Sequence, residues 1–371
     1  ADIISIDSLY KTNKDRITLR NKLRKEEGLR EARHSTAKPK DITRLEASLD
    51  KAVQRILDLE LILGTPREHN PREGKVVERT ETEKRELVEE KVRDLPDDIR
   101  LAVIDAVKKD PYTLDKDLRK KILAWSLGQD NIPAEASETA AEGAARGNPF
   151  YEIARGLPHT HYVDQFMEIY NRLINREAYI ELPDFQKLYH GGIGEVSSLE
   201  RIEQHDFPQI FFLEGWFVGV PTDLSTEQVE EIIRSDEYVK KMMDELDPQR
   251  RYTPVMLEYL RQYKKIWDLF DSRTYLLIED IRNVERSRSR QEETNRKHRI
   301  AELKKEGKSE EEISGMKLGM TPEEIKVFVR PYILLTYIIL HLDMAEHGGD
   351  LMFNINSSDY IPRKIRVPDN Q

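Results

Sequence analysis

The chain has 371 residues, 38% hydrophobic and 35% charged, with 17 Gly, 17 Pro and no cysteine, a globular profile with length for two or three domains. The lack of cysteine excludes disulfides, thiolate metal sites and thiol catalysis together. Seventy acidic against sixty basic residues leave a net charge of −10, which opposes nucleic acid and anionic lipid wherever it is spread evenly.

It is not spread evenly. Lys11 to Lys40 holds eleven basic and four acidic residues, a local +7 that leaves −17 for the remainder. Residues 11–33 read as a helix with Ile17, Leu19, Leu23 and Leu29 as its apolar points, too few for a broad buried stripe. Residues 1–40 are therefore expected to form a basic N-terminal arm. The chain begins at Ala1 instead of methionine, the start that a removed targeting peptide or a processed virion protein would leave.

The next segment has a full helical signature. Ile42, Leu45, Leu49, Ala52, Ile56, Leu59 and Leu63 recur at alternate spacings of three and four, with Asp41 as N-cap, Gly64 at C′ and Pro66 just beyond. The heptad-like run suits either an intermolecular coiled coil or, as the favoured reading, an intramolecular helical hairpin. Shorter helices are expected at Thr80 to Arg93, Asp97 to Lys109 and Asp115 to Leu127, closing a helical domain over 41–128. Residues 129–148, rich in Ala, Glu and Gly, lack apolar periodicity and read as a linker.

A larger helical domain is expected over 149–347. It opens with a helix from Tyr162 to Arg176 carrying Val163, Phe166, Met167, Tyr170 and Leu173 as core. Ile210 to Val218, the one stretch dense in aromatic and β-branched residues, reads as a small hairpin turning at Glu214-Gly215 or as an aromatic plug between helices. Ser225 to Gln228 has capping-box spacing for a helix through Ile233, and Ser235 to Leu246 continues or restarts it. Pro254 to Glu306 reads as one or two long helices, apolar in the first half and charged in the second. Thr321-Pro322 starts a helix that runs through the apolar stretch Val327 to Leu342, with Pro331 as an internal kink. Even the longest apolar stretch, Tyr332 to Leu342, has about half of the ~18–20 residues a membrane span needs. Residues 348–371 are expected to be an extended tail.

Chemical signatures are sparse. His159-Thr160-His161 is the most metal-like pattern, and Asp343, Glu346 and His347 share a helical face, but solvated or core positions are the commoner use of such residues. Gly191, Gly192 and Gly194 in YHGGIGEV lack the lysine and spacing of a phosphate loop. The basic arm is the strongest candidate surface, with Arg16, Arg20, Lys22, Arg24, Lys25, Arg30 and Arg33 as the residues that would meet a partner. Arg286 to Arg290 forms a smaller basic patch.

The expected fold class is mainly α, an irregular multi-helix architecture with long extended helices and at most one small β-hairpin near 210–218. The functional expectation is a non-catalytic structural or scaffold subunit of a large assembly, organellar in setting: a mitochondrial ribosome or a peripheral subunit of a respiratory or ATP synthase complex. Its partners would be other protein subunits, with RNA phosphate or anionic lipid at the arm. No cofactor, metal or membrane span is expected, and the compartment would be mitochondrial. The other readings weighed are a virion structural protein, a metal-dependent enzyme using His159 and His161, and a free RNA-binding protein.

Overall fold

The computed structural model describes residues 2–34, 38–108, 114–130, 132–152, 155–187, 189, 193–278, 283–305, 307–314, 318, 320–341, 351–355 and 362–366. It is mostly helical, 66% helix against 12% strand, so the expected class holds at that level. Among the described residues, however, the strands form four small sheets of two or three strands each, where at most one hairpin is expected. The chain divides into a helical unit, Tyr10–Ala154 with Glu181–Arg201, and an α/β unit, Ala1–Leu9 with Arg155–Ile180 and Ile202–Gln371.

Strand β1 (Asp2–Ser5) belongs to the α/β unit, and the chain then enters the helical unit. Helix α1 (Asn13–His34) buries Arg16, Asn21, Arg24 and Glu27 beside Ile17, Leu23 and Leu29. Its inner face is thus largely polar, which is why its apolar periodicity is weak and why the expected arm is instead part of the interior. Helix α2 (Pro39–Gly64) starts with Lys38 as N-cap and proline at N1, three residues before the expected N-cap Asp41. Its stripe is buried from Leu45 to Leu63 against α1 and later helices of the same unit, an intramolecular use of the heptad-like spacing.

A short hairpin follows, β2 (Glu68–Asn70) and β3 (Lys75–Val77), turning at Gly74 with φ of 62°. Helix α3 (Glu81–Lys91) begins with a complete capping box between Thr80 and Glu83. Helix α4 (Asp97–Lys108) comes next, and α5 (Lys116–Gly128) starts where the Asp115 side chain accepts from Leu118 N at 2.8 Å. The stretch read as a linker then forms helix α6 (Ala134–Arg146), whose Ala136, Ala140, Ala141, Ala144 and Ala145 are buried against α1 and α5. Alanine and glycine allow helices to approach closely without leaving an apolar pattern in the sequence.

In the α/β unit, α7 (Val163–Ile174) buries Val163, Phe166 and Ile169. The hairpin of β4 (Tyr179–Gln186) and β5 (Glu195–Glu203) lies mainly in the helical unit, where Phe185 meets Tyr10 edge-on at 4.9 Å. Strand β6 (Phe211–Glu214) is not half of a local hairpin. It pairs with β1 in parallel, Asp2 opposite Phe211 through Ser5 opposite Glu214. Helix α8 (Thr226–Ser235) carries the expected capping box, and α9 (Glu237–Leu246) is capped by Asp236, not Ser235.

The long helices expected over 254–306 are shorter and interrupted. Helix α10 (Tyr252–Arg261) and the single turn α11 (Lys264–Trp267) are followed by strand β7 (Thr274–Ile278). β7 runs parallel to β8 (Leu351–Ile355), and β8 pairs antiparallel with β9 (Pro362–Arg366), so strands occupy part of the expected tail. Between β7 and β8 lie the polar helix α12 (Asn283–Lys305), the turn α13 (Glu310–Ser314) and α14 (Pro322–His341). Among the described residues no helix is long and apolar enough to cross a membrane.

Candidate functional site

The basic arm is folded inward. Arg24 is 1% exposed, and its Nε and Nη2 donate to Glu152 at 2.8 and 2.5 Å while Nη1 donates to Glu60 at 3.0 Å. The Glu60 side chain is fully buried and accepts in addition from Arg20 at 2.9 Å, Asn21 at 2.8 Å and the Leu114 amide at 3.2 Å. Arg119 donates to Ala145 O at 2.8 Å and stands 3.9 Å from both carboxylates. Burial opposes the charge of Arg24, but Glu60 and Glu152 outweigh it and raise its pKa. Burial likewise works against the Glu152 carboxylate, and Arg24 with Arg20 and Arg119 nonetheless pulls its pKa down.

The remaining arm residues divide in the same way. Arg16 donates to Ile193 O at 3.2 Å and Gly194 O at 2.5 Å, Lys25 pairs with Asp50 at 2.6 Å, and Arg30 pairs with Glu27 at 3.1 Å. Lys22 and Arg33 are exposed. Five of the seven positions therefore serve the interior or local pairs of the helical unit. The pairings of Arg24 join residues far apart in sequence, so no local pattern could separate this helix from a solvated one.

The His159–His161 pair is also buried, each residue 4% exposed. A 3-10 turn over Pro158–Thr160 replaces the extended geometry that would align the imidazoles, and the rings meet different neighbours. His159 lies against Tyr252 and Tyr259, and His161 against Phe217 and Tyr263. The Tyr263 hydroxyl donates its single proton to Pro158 O at 2.7 Å, so at 2.9 Å from His161 Nδ1 it must accept. His161 is thereby held as the Nδ1–H tautomer, and burial raises the pKa of that tyrosine well above its ordinary value. No group of three metal-ligating side chains occurs among the described residues. Asp343, Glu346, His347, Gly191 and Gly192 lie outside them, while Gly194 packs on Phe185.

A different site assembles at the carboxyl ends of β1 and β6. Ser5 opposite Glu214 ends the two parallel strands level, and Asp7 follows in the first turn beyond β1. The Asp7 amide donates to Ser5 Oγ at 3.3 Å. A Cβ on Gly215 would stand 2.2 Å from Ile6 Cγ2, so only glycine lets the two chain ends pass this closely. Trp216 comes next, 36% exposed, its ring centroid 4.8 Å from that of Tyr332 and its Nε1 donating to Thr336 Oγ1 at 2.8 Å.

The loop that opens at Arg155 closes one side of this edge. Tyr332 donates its hydroxyl to Arg155 O, Gly156 has φ of 91° against the same ring, and the Tyr162 amide donates to Leu9 O at 2.8 Å. The result is two carboxylates at one strand edge, an aromatic wall from Trp216 and Tyr332, and an adjoining loop with buried Arg155. A carboxylate such as that of Glu214 suits Mg²⁺, which keeps several waters and shares substrate oxygens. Sequence reasoning saw only the aromatic run Ile210 to Val218, with Glu214-Gly215 as its turn. It missed Asp7, whose relation to that run depends on a strand pairing between distant segments.

No protein-family model matches the chain, and no curated protein matches it. Among solved structures it is similar to a D-glycerate 3-kinase from Cryptococcus neoformans var. grubii, with a TM-score of 0.47 and 21% identity over 59% of this chain and 71% of that one. It is also similar to the YGR205w protein, with a TM-score of 0.41 and 22% identity over 60% of this chain and 70% of that one. These comparisons give the expectations of a non-catalytic scaffold subunit and of no enzymatic activity no support: a structure named as a kinase is among those the chain resembles. The scaffold and complex-subunit descriptions fall with them.

Proposed function

We propose that this chain is an enzyme of phosphoryl transfer to a small hydroxylated acceptor, built on a nucleotide-binding type of α/β unit, with the carboxyl edge of β1 and β6 as the acceptor site. The observation that carries the reading is the level, in-register parallel pair that brings Asp7 and Glu214 to one strand edge. Open α/β sheets bind ligands outside the carboxyl ends of their strands. Phosphoryl transfer requires a carboxylate to accept the acceptor's hydroxyl proton and carboxylate oxygen to hold Mg²⁺. Asp7, in the turn past β1, is assigned the proton, and Glu214, at the end of β6, the metal. Trp216 and Tyr332 supply an apolar wall that limits water at the acceptor. The 371 residues contain no Walker-type Gly-rich loop with its lysine, so the reading assigns them no phosphate cradle of that type.

Calorimetric titration with a panel of small hydroxy acids and polyols, with and without Mg²⁺, tests the acceptor site, and an ATP-coupled assay then tests transfer. We expect Mg²⁺-dependent binding of one acceptor class, weakened about tenfold or more, ~1.4 kcal/mol, by Asp7→Asn and by Glu214→Gln. Failure of the whole panel to bind, or binding indifferent to both substitutions, would sink the proposal.

A further inference from the structure

Helix α14 changes environment at one residue. Its first half, Pro322 to Val329, packs with α12, and Leu303 of α12, Ile313 of α13, Ile325 and Val329 are all buried. Its second half packs with α8 and α9 in the main core of the α/β unit, burying Leu334, Leu335 and Ile338. Pro331 stands at the changeover. A proline there removes the amide that would bond to the carbonyl four residues earlier, and its ring crowds that turn, so bending is easiest at this point.

The contacts on each side fit two bodies. On the outer side, Arg288 lies 5.1 Å over the Phe328 ring, the Met320 amide donates to Glu292 at 3.4 Å, and Lys304 pairs with Glu310 at 2.8 Å. These tie α12, α13 and the start of α14 to one another. On the inner side, Arg330 pairs with Glu245 of α9, and Thr336 accepts from Trp216. Helix α12 is polar on nearly every face, and a groove of about 730 Å³ runs between it, α13 and the start of α14.

We infer that α12, α13 and the first half of α14 move as one hinged lid about Pro331. The pivot adjoins Tyr332, whose hydroxyl holds Arg155 O and whose ring backs Trp216, so the swing is coupled to the wall of the strand-edge site. α12 has 23 residues, about 35 Å of helix. A swing of about 20°, the scale of a proline kink, carries its far end through roughly 12 Å.

The absence of cysteine permits a direct test on the full chain by pulsed electron-spin distance measurement, with no ligand required, so its outcome is separate from that of the proposed activity. Spin labels at Lys305→Cys and Lys241→Cys report the lid against α9, and labels at Thr294→Cys and Glu323→Cys report the lid's own rigidity. We expect a broad or two-peaked distance distribution for the first pair, spread over roughly 10 Å, and one narrow peak for the second. Pro331→Ala, which restores the missing amide donor of the helix, should narrow the first distribution. A single narrow peak for the first pair in the parent chain, a broad one that Pro331→Ala leaves unchanged, or an equally broad second pair would each overturn the inference.

Discussion

Gly28 of α1 and Gly143 of α6 meet where the two helices cross, so closely that a Cβ on Gly143 would stand 3.1 Å from the Gly28 Cα. A Cβ on Gly28 would lie 2.7 Å from Ala140 O and 2.9 Å from the Ala144 Cβ. Neither neighbour is the free end of a flexible side chain. The helices must separate to admit even one methyl group.

Gly28→Ala is therefore expected to destabilise the chain, although alanine is the better helix former by about 1 kcal/mol. Overpacking at such a contact costs about 1–3 kcal/mol and outweighs that gain. Gly128→Ala, at the end of α5 with nothing within 4 Å of the added Cβ, should be neutral or stabilising. Urea unfolding midpoints of the two variants separate the effects, and equal shifts would show that the crossing is not tight.

Arg24 and Lys22 lie two residues apart on one helix and should behave as opposites. Arg24→Ala leaves Glu60 buried without its chief partner and vacates one side of Glu152, a kind of loss that costs about 3–5 kcal/mol. Lys22→Ala removes an exposed charge and should leave stability close to that of the parent. Denaturant titration of both checks this, and a small effect at Arg24 would mean that the network is solvated.

The same network predicts a dependence on acid. The folded pKa of Glu152 is lowered, so its contribution is fully present above the unfolded value of about 4.3 and fades as pH falls through the lower folded value. Unfolding free energy measured from pH 7 to pH 3 should fall more steeply in the parent chain than in Glu152→Gln. Parallel curves would remove Glu152 from the account.

How much of this was legible depends on where each interaction lives in the chain. Helix α2 could be read because large apolar residues mark its stripe and its ends carry start and stop signals. Helix α6, which crosses α1 where Gly28 meets Gly143, was invisible because alanine and glycine pack without contrast against their neighbours. The charges of α1 looked solvated because Glu60 and Glu152, which neutralise Arg24, leave no trace near residue 24. Thr274 to Ile278 was absorbed into a helix because a short apolar run fits either period, and only its pairing with β8 distinguishes a strand. The strand-edge site failed for the same reason: Asp7 and Glu214 are neighbours only after β1 has found β6.

That pairing also sets the order in which the molecule can be made. β1 precedes its partner by about 210 residues, which at about 5–20 residues per second leaves it without a mate for roughly 10–40 seconds of synthesis. The contacts of α1 to α6 are short-range by comparison, so the helical unit can close while the first strand waits. The carboxyl edge is thus among the last features to exist. A ribosome stalled before Phe211 would display a folded helical unit attached to an unpaired apolar strand, the form of the chain most exposed to capture by chaperones or by other unpaired strands.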